Sequence, residues 1–343
     1  RDRVNSGLTY EGKTVKLGAD IDLSTVCGAN VDGKEISWEP IGYCNSSDDY
    51  CFFNGTFDGN YKIISNLYIK NIIRERIGLF YHNQGTIEKT ILNNIYIYED
   101  LTSSEVAMSI AGPEIGGITG TNNGIINNCE IRSGTISSIN TTKSNIEYRC
   151  MLVGGITGQN NTKATINQCI NKCNIYVKNT TAQSSSSSPH NMAGGITGMS
   201  DNEATIANCY NIGKIEGYNG SQNLVGGLIG RTFATSIINS YNIGQIIGTC
   251  SNSSNNKVRG IVGENFYIVG EMTLKNTYCI NNISYSYNRI ANSYTTGIVS
   301  EATLKSYATK LGDAYTNDIK NDDGTWKYNN GYPILKWQLE KTE

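Results

Sequence analysis

The sequence predicts an all-β chain wound as a right-handed parallel β-helix, a β-solenoid with short capping segments at both ends. Three observations lead there. A glycine-rich motif recurs through the middle of the chain. Each copy is followed by isoleucines alternating with polar residues, the period of a strand with one buried face. No copy contains a stretch of helical periodicity.

The copies read IGLFYHNQGTI from Ile77, IGGITGTNNGII from Ile115, VGGITGQNNTKATI from Val153, AGGITGMSDNEATI from Ala193, VGGLIGRTFATSII from Val225 and RGIVGENF from Arg259. Equivalent glycines are Gly78, Gly117, Gly155, Gly195, Gly227 and Gly260, and a weaker copy follows at Gly297. The second half of each unit aligns without gaps: INNCEIRSGTI, INQCINKCNI, IANCYNIGKI and INSYNIGQI. Each repeat reads as about three short strands, separated by tight Gly and Asn bends and followed by a polar insert. One such unit cannot bury its own apolar face, so units must stack, with pairing running from rung to rung. Ile118, Ile156, Ile196, Leu228 and Ile261 then form an inward ladder. Asn128, Gln168, Asn208 and Asn239 form an amide ladder at a bend, and Cys129, Cys169, Cys209 and Ser240 the next column. A β-propeller has a similar period but needs four strands per blade.

The ends fit this plan. Residues 1–75 are the N-terminal cap, 76–299 the rungs and 300–343 the C-terminal cap. Trp326, Tyr332, Pro333 and Trp337 are placed to plug one end of the core. Open strand edges at the ends invite association, so head-to-tail self-association is a second possibility.

Composition narrows the function. The 343 residues carry 28 Lys and Arg against 30 Asp and Glu, a net charge of −2. That balance argues against a nucleic-acid partner, which would need a basic face, and gives no polybasic signal for an anionic membrane surface. No apolar run approaches the roughly 18 residues of a membrane span. Hydrophobic residues make up 38%, and asparagine outnumbers even the 37 glycines. The core is therefore thin and distributed.

The ten cysteines lack C-x-x-C spacing, and only His82 and His190 exist to complement them, so no zinc site is expected. Disulfides in an oxidising compartment are the favoured reading, with buried thiols as the alternative. Cys44 and Cys51 are the candidate pair, closing a loop that contains Asp48 and Asp49. Asn45, Asn54, Asn140, Asn160, Asn179, Asn219, Asn252 and Asn282 begin Asn-x-Ser/Thr triplets, possible glycan acceptors on exposed loops.

The motifs resemble a known family. G-G-I-T-G and G-G-L-I-G, followed by N-x-Y-N-I-G-x-I, resemble the GLUG repeat of bacterial secreted and surface proteins. EGKTVKLGADIDLS from Glu11, WEPIG from Trp38 and FNGTFDGNYKIISNLYI from Phe53 look like the segment that precedes such repeats. DGTWKYNNGYPILKWQ from Asp323 looks like the one that closes them. The resemblance implies a right-handed β-helix and an extracellular or cell-surface life. The repeat also occurs beside IgA-specific metallopeptidase domains, but no H-E-x-x-H is present, so that activity does not carry over.

Catalytic groups are sparse. Asp201 and Glu203 share the turn-like MSDNEA, and Asp20 with Asp22 face solvent between Ile21 and Leu23. Asp58-Gly59-Asn60 reads as a hairpin turn, Asp322-Asp323-Gly324 as another turn, and both histidines as surface-loop residues. No G-x-S-x-G or phosphate loop occurs, and no cofactor or metal is expected. The expected function is a non-enzymatic structural or adhesive module, displaying variable polar loops to glycans or surface proteins of a host or matrix. A filament subunit and a carbohydrate-active β-helix lyase or hydrolase are the alternatives.

Overall fold

A computed structural model describes residues 1–44, 51–102, 112–141, 150–180, 190–219, 222–250, 255–266, 271–286 and 296–340. Nearly all ordered elements are short strands, and the pairing from rung to rung is parallel. The rung beginning at Cys150 shows the plan. Cys150–Gly154 lies in sheet I and Thr157–Asn160 in sheet II. Thr165–Asn167 and Ile170–Asn171 form the two halves of sheet III, and Asn174–Asn179 lies in sheet IV. Each rung thus has five strand segments, where the sequence suggested about three. The extra two come from sharp bends at Gly155 and at the residue before each column cysteine, which interrupt what reads as continuous alternation.

Equivalent residues stack in register. Ile87, Ile126, Ile166, Ile206 and Ile237 pair successively in sheet III. Ile97, Ile136, Ile175, Ile215 and Ile246 do the same in sheet IV. All are at most 1% exposed. The expected ladder Ile118, Ile156, Ile196, Leu228 and Ile261 is fully buried, its backbone N–H groups bonding the next rung's carbonyls at 2.9–3.0 Å.

The glycine motif works by close approach. A Cβ on Gly155 would lie 2.4 Å from the Gly195 carbonyl oxygen and 2.3 Å from the Asn171 side chain. A Cβ on Gly158 would lie 2.3 Å from the Ile115 nitrogen, so sheets I and II can fold back on each other only here. Between them sits a small second core of Leu152, Met192 and Leu224.

The interior is only partly apolar. Asn83, Asn122 and Asn160 are fully buried and linked amide to amide at 2.8 Å. Asn171, Asn211 and Asn242 form a second ladder, also at 2.8 Å, in register with Ile131 of the preceding rung. An aliphatic column therefore turns into an amide column midway. The ladder proposed at the bend exists with a slip. Asn276 donates to Asn239 at 3.0 Å and Asn239 to Asn208 at 3.3 Å, but Asn208 then donates to Asn167, bypassing Gln168.

Cys129, Cys169 and Cys209 are separate buried thiols. Each donates to the carbonyl two residues back, at 3.3, 3.2 and 3.1 Å. Thr90, Ser240 and Thr277 make the same bond in the same column, at 3.0, 2.8 and 3.1 Å. The column selects a small donor behind a left-handed bend, and a thiol or a hydroxyl satisfies it. Disulfides are the favoured reading for the cysteines overall, with packed thiols equally open in this column, and here the structure keeps thiols. Cys44 and Cys51 are bonded, with Cα atoms 5.7 Å apart.

The head is itself solenoid. Thr14–Lys16 and Ile21–Asp22 pair in parallel with Thr56–Asp58 and Ile63–Ser65. Asp58-Gly59-Asn60 is accordingly the corner between two successive strands of one rung, each paired in parallel with neighbouring rungs, and not a hairpin turn. Phe53, Phe57 and Phe80, with ring centroids 5.2–6.5 Å apart, close the core at this end.

The tail departs from expectation. It lies along the flank of sheet III instead of plugging an end. Ile170, Tyr210, Tyr241 and Tyr278 form an outward ridge there, covered by Leu304, Leu311, Tyr315, Tyr332, Leu335 and Trp337. The Tyr210 hydroxyl donates to Gln338 at 2.8 Å, and Trp337 stacks on Tyr61 at 5.5 Å. Trp326 is 42% exposed and plugs nothing. An apolar ridge on an outer face needs a cover, and the tail supplies it.

Two predictions follow from the interior. Asn122→Ala strands the Asn83 donor and the Asn160 acceptor, so it should cost about 2–4 kcal/mol, read as a lower urea midpoint at unchanged m-value. Cys169→Ser should cost far less than Cys169→Ala because the hydroxyl repeats the thiol's bond; equal losses in thermal melts would refute the donor-column account.

Candidate functional site

On the first rungs the outward face of sheet IV carries tyrosines, and the same columns carry Thr135, Asn174 and Ser137 in the rungs that follow. Tyr68 lies on Tyr68–Lys70, Tyr96 and Tyr98 on Ile95–Asp100. Alternation sends Ile95 and Ile97 inward and turns Tyr96 outward, 39% exposed. Register places Tyr96 over Tyr68 and Tyr98 over Lys70. The Tyr68 and Tyr96 rings stack at 5.1 Å and 11°, and Tyr96 and Tyr98 at 6.3 Å and 17°. Farther along the face, Tyr218 is 37% exposed with the Lys178 ammonium 5.7 Å from its ring.

Polar groups border the stack. Asn66 and Asn94 sit in left-handed bends at φ 64° and 54°. Asn94 donates to Asn66 at 2.7 Å, and Asn66 donates to Asp22 at 2.7 Å. The Tyr68 hydroxyl donates to Glu35, which also pairs with Lys70 at 2.7 Å. Burial and then the Glu35 carboxylate push the Tyr68 phenol well above its ordinary range, so it stays a donor. Strand Gly28–Val31 of the head forms one wall. Together these enclose a groove of about 300 Å³, with Tyr68, Tyr96, Asn30, Asn66 and Asn94 on its surface. Two tyrosine rings and three amides thus line one groove, an arrangement of apolar contact and hydrogen-bonding groups in the manner of small-ligand sites.

The acidic candidates are scattered. Asp201 is held by Gln159 at 3.1 Å, whereas Glu203 is exposed and 3.8 Å from Lys163, so the two do not act together. Asp20 accepts the Ile63 N–H, and Asp323 accepts the Thr325 N–H. Asp48 and Asp49 lie outside the described residues. The histidines stand on strands, not loops: His82 in Phe80–Asn83 and His190 at the start of His190–Gly194. Burial, then the nearby Arg231, pushes His190 down to about 4.

Sequence reasoning missed two ionic groups at either end of the second core. Glu114 lies 3.6 Å from Arg76 and accepts from Thr121, and burial pushes it up to about 7. Glu264 pairs with Arg231 at 3.4 Å and with Lys257. Their strand positions were legible, but nothing in the sequence shows that sheets I and II fold together and bury them. No group of three or more His, Cys, Asp or Glu arranged for a metal occurs among the described residues.

Four glycan-acceptor candidates require correction. Asn140, Asn160, Asn179 and Asn219 are fully buried. Asn140, Asn179 and Asn219 stack in register, and Asn160 ends the amide ladder from Asn83. Their triplets arise because Asn, Ser and Thr fill interior columns; a glycan on any of them is incompatible with the folded rung. Asn54 and Asn282 are half-buried, and Asn45 and Asn252 lie outside the described residues.

No protein-family model matches the chain. A stretch of 140 residues is 31% identical to halomucin of Haloquadratum walsbyi, covering 40% of this chain and 1% of halomucin. A solved structure from Bacteroides ovatus, provisionally described as an immunoglobulin A1 protease, aligns over 98% of this chain and 89% of its own. Its TM-score is 0.59 at 18% identity, a likeness of fold alone. The chain is a parallel β-solenoid, and its likeness to these proteins defines no activity.

One residue beyond Tyr98, Glu99 turns into the core and accepts the N–H groups of Ile72 and Ile73 at 2.9 and 3.1 Å. Burial outweighs those bonds and pushes its carboxyl from 4.5 up to about 7. The unfolded chain therefore sheds this proton first, and this group's contribution to stability falls as pH rises from about 4.5 to 7. Glu99→Gln should gain on the parent across that window, by up to about 3 kcal/mol at pH 8; urea midpoints of both proteins at pH 4.5 and 8 check this.

Proposed function

We propose that this chain is a non-enzymatic extracellular surface module, a stiff β-helix that adheres to glycans through the tyrosine groove on sheet IV. The observation that carries the reading is the Tyr68–Tyr96 stack, left partly open beside the Asn66–Asn94 amide pair. Around it the backbone ladder is rigid, so the platform is pre-organised and little entropy is lost on binding. The Cys44–Cys51 bond supports an oxidising compartment. The resemblance to GLUG repeats and the likeness to halomucin point the same way. The buried and half-buried acidic groups Glu99, Glu114, Asp201 and Glu264 are paired with counter-charges or held by hydrogen bonds, an arrangement suited to scaffolding more than to proton transfer.

A glycan array probed with the purified chain tests this. Saturable binding to neutral glycans is expected, and the bound polysaccharide should keep its length on prolonged incubation. Since a stacked ring contributes about 0.5–1.5 kcal/mol, Tyr96→Ala should weaken binding roughly 2- to 12-fold while circular dichroism shows the fold retained. An array with no signal, or a Tyr96→Ala protein that binds like the parent, defeats the reading.

A further inference from the structure

We infer that the seam between the tail and sheet III is a separate ligand site, one that takes a sugar bearing a carboxylate or sulfate. The seam holds a cleft of about 290 Å³ lined by Glu130, Arg132, Lys172, Lys327, Tyr328 and Gln338. That volume lies near the lower bound of small-molecule pockets, about 300–1,000 Å³; it suits a sugar ring and far exceeds the space of a bare ion.

The lining is cationic in a chain whose overall charge is −2. Three cations stand against the single carboxylate of Glu130. Glu130 is 2% exposed and acts as an anchor, with Lys172 at 3.1 Å on one oxygen and Arg132 at 3.6 Å on the other. It fixes both cations without neutralising the pair. Lys327 has no carboxylate at ion-pair distance among the described residues, and its ammonium lies 5.4 Å from the Tyr328 ring. The nearby Asp318 is committed elsewhere, accepting the N–H groups of Ile319, Tyr328, Asn329 and Gly331 at 2.8–3.1 Å.

Neutral donors complete the site. The Tyr328 hydroxyl is buried with no hydrogen-bond partner, an arrangement that folded proteins rarely leave unexplained. Gln338 spends its carbonyl oxygen on Tyr210 and on the Leu335 N–H, so its NH2 group is the donor left for a ligand. Ammonium and guanidinium groups for one anionic substituent, an aromatic ring for the sugar face and two neutral donors form a coherent set. The tail builds this site by covering the ridge, so its presence does not depend on the sheet IV groove.

Calorimetric titration of the whole chain at low ionic strength tests the inference, with glucuronate, glucose 6-sulfate, glucose and inorganic sulfate as probes. Saturable binding of glucuronate or of glucose 6-sulfate, with none for glucose, is expected; which acid binds tells carboxylate from sulfate. Lys327→Gln, an exposed change, should weaken that binding about 2- to 5-fold, and adding Arg132→Gln should weaken it at least about tenfold. Tyr68→Ala should leave it unchanged, which separates this site from the sheet IV groove. Failure of both acidic sugars to bind overturns the proposal. So does binding of inorganic sulfate as tight as that of the sugars, or affinity that Lys327→Gln leaves untouched while the fold is intact by circular dichroism.

Discussion

Parallel backbone pairing from one rung to the next, with like residue over like residue, is the constraint on which the rest of the structure depends. It fixes neighbouring strands at about 4.8 Å and makes each side chain the floor of the one above it. A residue is then judged by its column more than by its own hydrophobicity. Isoleucine columns succeed because identical side chains interlock. Asparagine columns succeed because an amide has a donor and an acceptor, so each member satisfies two neighbours. Neither kind of column is stable as a single residue in a lone repeat.

That constraint explains a composition which otherwise looks too polar for a folded chain. With apolar residues at 38%, a conventional core would be thin. The amide ladders add interior volume without apolar area, and the hydroxyl and thiol column behind the left-handed bend adds more. It also explains the glycines. Sheets I and II can close on one another only where Cβ atoms are absent, which is why the motif recurs with its spacing intact while the inserts vary.

The outer faces carry both proposed binding places. One apolar ridge, Ile170, Tyr210, Tyr241 and Tyr278, is covered by the tail, and the seam so formed gathers Arg132, Lys172 and Lys327. Another aromatic stripe, Tyr68, Tyr96 and Tyr98, is left partly open and bordered by amides. The two faces differ in charge, so the sugars proposed for them differ in character. Both stand on the same backbone ladder, so the binding proposed for either place draws on pre-organisation more than on area.

Much of this was legible from the amino-acid order. Repeat spacing and the period-two isoleucines determined the solenoid, the inward ladder from Ile118 to Ile261 and the pairing of Cys44 with Cys51, because these depend on local alternation and short separations. The acceptor triplets at Asn140, Asn160, Asn179 and Asn219 misled, since a triplet does not show which face its asparagine takes. The path of the tail, the ionic groups around Glu114 and Glu264, and both candidate binding places were decided by tertiary structure alone. They join residues of neighbouring rungs that lie far apart in the sequence, or residues of the tail and the middle of the chain, and their proximity follows from how the sheets bend in space, a quantity that no local pattern encodes.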